Sequence, residues 1–305
     1  MNVLEVRELT KRYGEKTAVE DLTFAVGKGQ IFGFLGPNGS GKTTTIGMIF
    51  GVIAPTRGAI TVLGESNRAA LARGRLSGTL EQPNFHPYLT GRDNLRLVAK
   101  MKGLDEKLIA PALAGVDMLE PADREVKAYS LGMKQRLALA AAMLGDPEVL
   151  ILDEPTNGLD PEGMREIREI LVLLSRSSRT ILISTHLLDE VAKICTHVAI
   201  LKRGRLQLSR SVAELTGTDV CFRLCADDIL QLAAAVRQYD FAKNIRTSDD
   251  AVYLDLTGAG PASLNRYLCN RGIYLKELSS HRHTLEEAFL AVTAPEAASG
   301  TRAPQ

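Results

Sequence analysis

Tryptophan is absent from this chain, and aromatic side chains make up only 5% of its 305 residues. Cysteine is also scarce. The four thiols, Cys195, Cys221, Cys225 and Cys269, form no C-x-x-C pair, and none has a histidine at metal-ligand spacing. Zinc modules need ligands at such spacing, so the pattern favours buried apolar thiols over a metal site and fits a reducing cytoplasm.

Neither sign of charge dominates, with 37 Lys and Arg residues against 36 Asp and Glu residues. This balance gives no reason to expect bulk attraction to nucleic acid or acidic lipid. No stretch approaches the roughly 20 apolar residues that cross a bilayer. Residues 1–8 alternate like a strand and lack the apolar segment of a signal peptide. A role at a membrane would therefore require spans from another polypeptide.

The length and the 45% hydrophobic content are compatible with about two globular domains. The runs 148–152 and 180–184 are continuously apolar, which is typical of parallel strands covered on both faces. Residues 3–26 alternate instead and contain a hairpin signal around 12–16. This predicts an antiparallel β edge beside a parallel core. The strand-like runs of the first two thirds lie at 3–9, 21–26, 31–35, 58–63, 148–152, 180–184 and 197–201.

Two other segments have a different pattern. From about 85 to 147 the apolar residues recur at helical spacing, which predicts a helical insertion in the α/β domain. After Gly217 the predicted elements begin with the ferredoxin-like β-α-β-β-α-β order. They are 219–225, 227–238, 243–247, 251–256, 261–271, 273–279 and a last helix at 284–293. The predicted organisation is an α/β domain at 1–216, a small α+β domain at 217–294 and a flexible tail at 295–305.

The most informative motif is a complete G-x-x-x-x-G-K-[ST] phosphate loop. A strand-like run precedes it and a helical run follows, so backbone N–H groups can surround a phosphate at a helix N-terminus. Lys42 can neutralise the β- and γ-phosphates, and the Thr43 hydroxyl can bind Mg²⁺. The alternative is a Gly-rich turn that matches by chance, which the flanking pattern disfavours. The predicted triphosphate site comprises Gly36, Pro37, Asn38, Gly39, Ser40, Gly41, Lys42, Thr43 and Thr44.

Asp153 and Glu154 follow the apolar run at 148–152. Asp153 could hold the water shell of a metal ion, and Glu154, which faces another direction, could polarise an attacking water. The alternative is an ordinary strand that ends in a solvated acidic turn. The phosphate loop upstream favours the catalytic interpretation.

The segment Ser130-Leu131-Gly132-Met133-Lys134-Gln135-Arg136 precedes an Ala- and Leu-rich run. Ser130 is a suitable N-cap for that helix, and its hydroxyl and the first-turn N–H groups could bind an anion. Taken alone, the segment favours a capped core helix without such a role.

In this order and spacing, the motifs resemble those of ATP-binding cassette (ABC) ATPases over about residues 2–215. The segment that begins at Ser130 resembles the signature motif of that family. Tyr13 resembles the aromatic residue that stacks on adenine, Gln82 the glutamine of the Q-loop, and His186 the switch histidine. Plainer alternatives are a surface aromatic for Tyr13, a loop cap for Gln82 and a structural histidine for His186.

The resemblance also implies how the site is completed. Residues 157–160 resemble the D-loop, in which Asp160 could equally cap the helix that begins at Pro161. Two cassettes would pack head to tail, with each ATP between one phosphate loop and the partner's Ser130 and Gly132. Because each motif occurs once, a second copy or a paired ATPase is required. Gln82 would contact Mg²⁺ and link the site to the helical insertion.

Two positions depart from the common signature: Leu131 replaces its first glycine and Met133 its glutamine. Ser130 and Gly132 remain, so phosphate binding is still expected. This form of the motif resembles the subgroup whose ATPase is separate from its membrane subunit, as does the sequence at 284–290. That subgroup includes bacterial exporters for drugs, lantibiotics, bacitracin-type peptides and sodium.

The resemblance therefore implies a fold and a function. The fold is a P-loop NTPase cassette with an antiparallel β subdomain, a helical insertion and a ferredoxin-like C-terminal domain. The function is an ATPase, with ATP and Mg²⁺ as ligands, that couples closure of the dimer to an integral-membrane permease. The loop at 85–89 would receive a cytoplasmic helix of the permease, which would hold the protein against the inner face of the membrane.

Other functions fit the sequence less well. A soluble ABC ATPase that acts on ribosomes or DNA would generally carry two cassettes with coiled coils or zinc modules. A regulatory binder without hydrolysis conflicts with the intact Lys42, Asp153, Glu154 and His186, and a GTPase would need an Asn-Lys-x-Asp segment. For the C-terminal domain, dimerisation, ligand binding and a stabilising cap remain open.

Overall fold

The structure is a computed structural model, and it describes residues 1–80, 84–176, 178–216, 221–281, 284–287 and 289. The chain divides into two compact units, whose main segments are Met1–Val212 and Ala213–Ala291. Within the described ranges, none of the helices combines the length and the apolar character that crossing a bilayer requires.

The first unit contains ten strands and a set of helices among its described residues. The strands are β1 (Asn2–Tyr13), β2 (Lys16–Gly27), β3 (Ile31–Leu35), β4 (Arg57–Val62), β5 (Glu65–Ser66), β6 (Leu76–Thr79), β7 (Val149–Asp153), β8 (Thr180–Thr185), β9 (His197–Lys202) and β10 (Arg205–Ser211). The helices are α1 (Lys42–Ile49), α2 (Asn67–Ala72), α3 (Gly91–Lys102), α4 (Ile109–Ala114), α5 (Leu131–Met143), α6 (Pro161–Ser175) and α7 (Leu188–Ile194). A short helix, α8 (Val212–Thr216), begins where the second unit starts.

Six strands form a mostly parallel sheet in the order β10-β9-β3-β8-β7-β6, in which β10 pairs antiparallel with β9. Every residue of β3, β7 and β8 is buried, which explains the apolar runs at their centres. The strand predictions at 148–152 and 180–184 are thus confirmed. The edge strands β6 and β10 escaped prediction because their sequences, LSGT and RLQLSRS, are largely polar.

The antiparallel strands form a sheet of their own, in the order β2-β1-β4-β5. The predicted hairpin is confirmed: Tyr13 pairs with Lys16 across a two-residue loop whose Gly14 has a φ of 58°. The antiparallel β structure predicted beside the parallel core is therefore confirmed, and among the described residues it forms a sheet separate from the parallel one. Its buried side chains, such as Val6 and Leu22, share one apolar core with Phe32 and Phe34 of β3.

The predicted helical stretch between 85 and 147 contains α3, α4, α5 and short 3₁₀ turns. Its described residues include one isolated β-bridge, between Thr90 and Glu125. Polar N-caps start two of the helices: the Thr90 hydroxyl accepts from the Asp93 N–H at 3.0 Å, and the Ser130 hydroxyl accepts from the Met133 N–H at 3.2 Å. The N-cap role predicted for Ser130 is therefore confirmed.

The described residues of the second unit form a four-stranded sheet with all neighbours antiparallel, in the order β12-β13-β11-β14. Its core packs Leu224 and Leu254 from the sheet against Leu232 and Leu264 from the helices. Most of the last helix predicted, 284–293, lies outside the described residues. The elements are β11 (Cys221–Ala226), α9 (Ile229–Arg237), β12 (Ala242–Thr247), β13 (Val252–Leu256), α10 (Pro261–Cys269) and β14 (Leu275–His281).

Candidate nucleotide-binding site

A cleft of about 730 Å³ opens where the phosphate loop connects β3 to α1. Clefts at the carboxyl ends of parallel strands are the usual ligand sites of such sheets. The cleft is lined by Tyr13, Lys16, Thr17, Ala18, Asn38, Gly39, Ser40, Gly41, Lys42, Thr43, Thr44, Glu154, Asn157, His186 and Arg203.

The glycines of the phosphate loop meet two different requirements. Gly39 and Gly41 have φ angles of 77° and 103°, in the region that side chains disfavour. Gly36 is needed for space, because a Cβ there would overlap the Ser40 hydroxyl and lie 2.6 Å from the Leu201 carbonyl oxygen. The loop can therefore keep this shape only with glycine at these positions.

Two polar side chains of the loop are buried. Lys42 is 6% exposed; its ammonium donates to the Gly36 carbonyl at 2.7 Å and lies 3.6 Å from a carboxylate oxygen of Glu154. Ser40 is 2% exposed, and its hydroxyl has no hydrogen-bond partner among the described residues. A buried hydroxyl without a partner is uncommon in proteins, and an anion at this loop would supply one.

Asp153 and Glu154 are held by a residue to which the sequence analysis gave no role, Ser184. The Ser184 hydroxyl donates to Asp153 Oδ1, and these two residues are register partners in β7 and β8. The Glu154 N–H donates to the Ser184 carbonyl at 3.0 Å and to its hydroxyl oxygen at 3.1 Å. A small hydroxyl residue at the end of an apolar strand is the signal that would have found Ser184.

The Glu154 backbone lies in the left-handed region, with a φ of 48°. For a residue other than glycine this conformation costs about 1–3 kcal/mol, and such residues cluster at functional sites. Its carboxylate lies between two cationic or polar groups: one oxygen is 3.1 Å from His186 Nδ1 and the other is 3.6 Å from Lys42 Nζ. The tertiary structure thus brings together three of the four predicted catalytic residues. The fourth, Gln82, lies outside the described residues.

Tyr13 is half-exposed at the end of the β1–β2 hairpin and lines the cleft. The Lys11 ammonium lies 4.8 Å from its ring centroid and also donates to the Ala54 carbonyl at 2.8 Å. This cation–π contact covers one face of the ring, so a base could stack only on the opposite face.

Ser130, Gly132 and Asp160 do not line the cleft. Asp160 accepts from the Gly163 N–H at 2.9 Å and caps α6, as its plainer alternative predicted. The two loops nevertheless touch each other: a Cβ on Gly158 would lie 3.1 Å from Leu131 Cδ2. The signature segment and the D-loop segment therefore form one surface, apart from the cleft of the same chain.

Gly36, Pro37 and Asp153 are also absent from the cleft lining. Gly36 and Asp153 are buried behind it, while Pro37 is exposed. Lys16, Thr17, Ala18 and Arg203 line the cleft without having been predicted, because no motif marks them. The strand pairing that brings these residues to the phosphate loop is non-local.

Oxygen-bearing side chains in and beside the cleft are chemically suited to Mg²⁺. Across the described part of the chain, no group of three or more His, Cys, Asp or Glu side chains could hold a metal ion. Mg²⁺ in nucleotide sites needs fewer protein ligands, since one or two protein oxygens join phosphates and water. The buried Asp153 carboxylate and the Thr43 hydroxyl in the cleft lining are oxygen groups that could supply such ligands.

A phosphate loop between a parallel strand and a helix, with an acidic pair at the end of β7, defines a P-loop nucleoside triphosphatase. The family model described as ABC transporter matches residues 19–157. The chain is 36% identical over 297 residues to the uncharacterized ABC transporter ATP-binding protein YhcH of Bacillus subtilis (strain 168). The aligned region covers 95% of this chain and 96% of that protein.

A second relative is the bacitracin transport ATP-binding protein BcrA of Bacillus licheniformis, 44% identical over 209 residues, or 67% of this chain and 68% of that protein. A solved structure of the ATP binding subunit of an ABC transporter superposes with a TM-score of 0.63 at 32% identity, over 70% of this chain and 91% of that one. The chain belongs to the ABC transporter family, as one of the ATP-binding proteins that hydrolyse ATP. The predicted resemblance to the bacitracin and drug exporter subgroup is confirmed.

Proposed function

We propose that this chain is the ATP-hydrolysing subunit of an ABC exporter, in which two cassettes close on ATP while a separate membrane permease carries the cargo. The observation that carries the proposal is the position of the Glu154 carboxylate, 3.6 Å from Lys42 Nζ and 3.1 Å from His186 Nδ1. One acid is thereby held beside the lysine of the phosphate loop and the histidine that follows β8.

In the proposed reaction, the loop N–H groups and Lys42 bind the β- and γ-phosphates, and His186 contacts the γ-phosphate. The Glu154 carboxylate accepts a hydrogen bond from a water molecule. The water oxygen forms a bond to the γ-phosphorus, and a proton of that water passes to the Glu154 carboxylate. The bond from the γ-phosphorus to the β–γ bridging oxygen breaks, which releases ADP and inorganic phosphate. Positioned charges do most of the work in such reactions, so the rigid attachment of Glu154 to Ser184 supports this role.

Asp153 and Thr43 would hold Mg²⁺, with Gln82 as the further ligand implied by the family resemblance. The metal ion would neutralise charge on the phosphate oxygens. Ser184 would keep the Asp153 carboxylate in position through its hydroxyl hydrogen bond.

We also propose that the site is completed by a second copy or by a paired ATPase. Ser130 and Gly132 lie at the N-terminus of α5, where N–H groups and the helix dipole favour an anion. Because this surface lies apart from the cleft of its own chain, it is available to an ATP bound by another chain. Asp160 would then lie at the dimer interface.

The permease is proposed to contact the helical insertion, at the loop 85–89 and the exposed side of α3. Leu97 and Met101 lie one helical turn apart and are exposed, Met101 to 87%, and Tyr88 in the adjacent loop is also exposed. Exposed apolar side chains of this kind mark protein interfaces. The protein would thus be cytoplasmic and attached to the inner face of the membrane.

We assign residues 1–216 to the ATPase domain and 217–294 to a ferredoxin-like accessory domain; the tail predicted at 295–305 lies outside the described residues. The strand–helix–strand–strand–helix–strand order from β11 to β14 supports the assignment. So does the sheet order β12-β13-β11-β14.

The function is tested with Glu154→Gln, which keeps the shape of the side chain but removes the carboxylate. We expect ATP hydrolysis to collapse by at least about 100-fold while an ATP-bound dimer accumulates on size exclusion. Glu162→Gln, an exposed change in the first turn of α6, is the matched control and should leave both unchanged. Normal turnover by Glu154→Gln would refute the assignment. Copurification with a protein of about six apolar spans would test the transport role, whereas copurification with ribosomes would support the soluble alternative.

A further inference from the structure

Arg203 occupies a position that local stereochemistry disfavours. Arg203 and Gly204 form the two-residue loop between β9 and β10, and their φ angles are 49° and 80°. Two successive positive φ angles define a type I′ hairpin turn, whose first position favours Asn, Asp or Gly. Arginine is a poor choice there for the backbone, so the reason for it lies in its side chain.

This turn is joined directly to the phosphate loop. The Gly204 N–H donates to the Ser40 carbonyl at 2.9 Å, and the Gly204 carbonyl accepts from the Glu20 N–H at 2.8 Å. Gly204 also fits tightly, because a Cβ there would lie 2.6 Å from the Ala18 carbonyl oxygen. These contacts fix the backbone of Arg203 at the rim of the cleft that the phosphate loop lines.

The guanidinium of Arg203 is exposed, and no carboxylate lies within 4 Å of it in the described ranges. Arg205, two residues further along, is by contrast paired with Glu20 at 2.8 Å. Among the described residues, the cleft lining holds three cations, Lys16, Lys42 and Arg203, but only one carboxylate, Glu154. Lys42 already lies beside that carboxylate. The charge at the Arg203 side of the cleft is therefore uncompensated.

We infer that Arg203 binds the phosphate chain of the nucleotide, a role that rests on the proposed function of this cleft. A guanidinium forms strong charge-assisted hydrogen bonds with phosphate oxygens and can contact two of them at once. Lys42 acts from inside the phosphate loop, whereas Arg203 acts from the rim. The residue raises affinity for the polyphosphate and takes no part in activating water.

The test uses Arg203→Asn, which removes the charge and places a favoured residue in the turn. Arg203→Lys keeps the positive charge but lacks the planar guanidinium that can donate two parallel hydrogen bonds. Arg205→Gln removes a nearby cation that is already paired with Glu20. ATP binding is measured by calorimetry at low and at physiological ionic strength, with thermal unfolding recorded for each variant. We expect Arg203→Asn to weaken ATP binding about five- to ten-fold at low salt and to reduce the salt dependence. Its melting temperature should equal or exceed that of the wild type.

Arg203→Lys should recover part of the affinity, and Arg205→Gln should bind like the wild type. Unchanged ATP affinity in Arg203→Asn would overturn the inference, as would a loss with an unaltered salt dependence. Lys42→Ala separates this outcome from failure of the proposed function. If the wild type and Lys42→Ala bind ATP equally, the cleft is not the nucleotide site. If only Lys42→Ala loses binding, the cleft is that site and Arg203 has no part in it.

Discussion

Gly36→Ala is a test of how tightly the phosphate loop is packed. The φ angle of Gly36 is not among the positive ones, so an alanine can adopt this backbone and only space is at issue. Its Cβ would overlap the Ser40 hydroxyl, lie 2.6 Å from the Leu201 carbonyl oxygen and lie 3.0 Å from Ser40 Cβ. Leu201 belongs to β9, which pairs with β3 on one side and β10 on the other, so its carbonyl cannot retreat cheaply.

Overpacking of a buried site typically costs about 1–3 kcal/mol, and two contacts this short place Gly36→Ala near 2–3 kcal/mol. Ser40→Ala in the same chain removes the hydroxyl overlap but leaves the Leu201 contact. The double variant should therefore recover roughly 1 kcal/mol, which a double-mutant cycle measures as a coupling between the two positions.

The assay is urea unfolding followed by circular dichroism, with hydrogen exchange of the β3 and β9 amides to locate the loss in the first unit. Gly132→Ala is the matched control, because its Cβ would meet nothing closer than 3.9 Å and it is the second residue of α5. That variant should be as stable as the wild type or slightly more stable. A Gly36→Ala protein that unfolds at the wild-type urea concentration, with unchanged exchange, would refute the packing argument.

Three further predictions concern other parts of the first unit. Ser184→Ala removes the hydroxyl that donates to the buried Asp153, so the free energy of unfolding should fall by about 1–3 kcal/mol and ATP hydrolysis should slow. Wild-type values for both quantities would contradict the role given to Ser184. Leu131→Gly restores the glycine of the common signature but removes the side chain that packs on Gly158. We expect urea titration to show a free energy of unfolding that is lower by about 1–2 kcal/mol. Burial raises the pKa of Cys195 from 9.0 to about 12, so iodoacetamide at about pH 8 should alkylate it only after unfolding. The thiol of the unfolded chain ionises at a lower pH than the buried thiol of the folded chain. The stability that the buried neutral thiol contributes is therefore fully present below pH 9.0 and is lost as the pH rises towards about 12. A Cys195→Ala chain should lack this loss.

Features written in contiguous residues were predictable. The phosphate loop from Gly36 to Thr43 needs only its own glycines, the strand before it and the helix after it, so its place between β3 and α1 followed from the sequence. The buried strands β7 and β8 were equally clear, because strands covered on both faces carry continuous apolar runs. Edge strands need no continuous apolar run. The four residues of β6 therefore did not predict a strand.

Only the tertiary structure showed which residues far apart in the chain come together. Ser184 reaches Asp153 because β8 pairs with β7 in parallel register, and Arg203 reaches the cleft because its turn is hydrogen-bonded to Ser40. Leu131 packs beside Gly158 although nothing in either segment marks the contact. Local sequence determines which backbone conformations and N–H donors a segment offers. The order and register of the strands determine which charged groups lie beside those donors. Strand order and register depend on pairing between residues far apart in the chain.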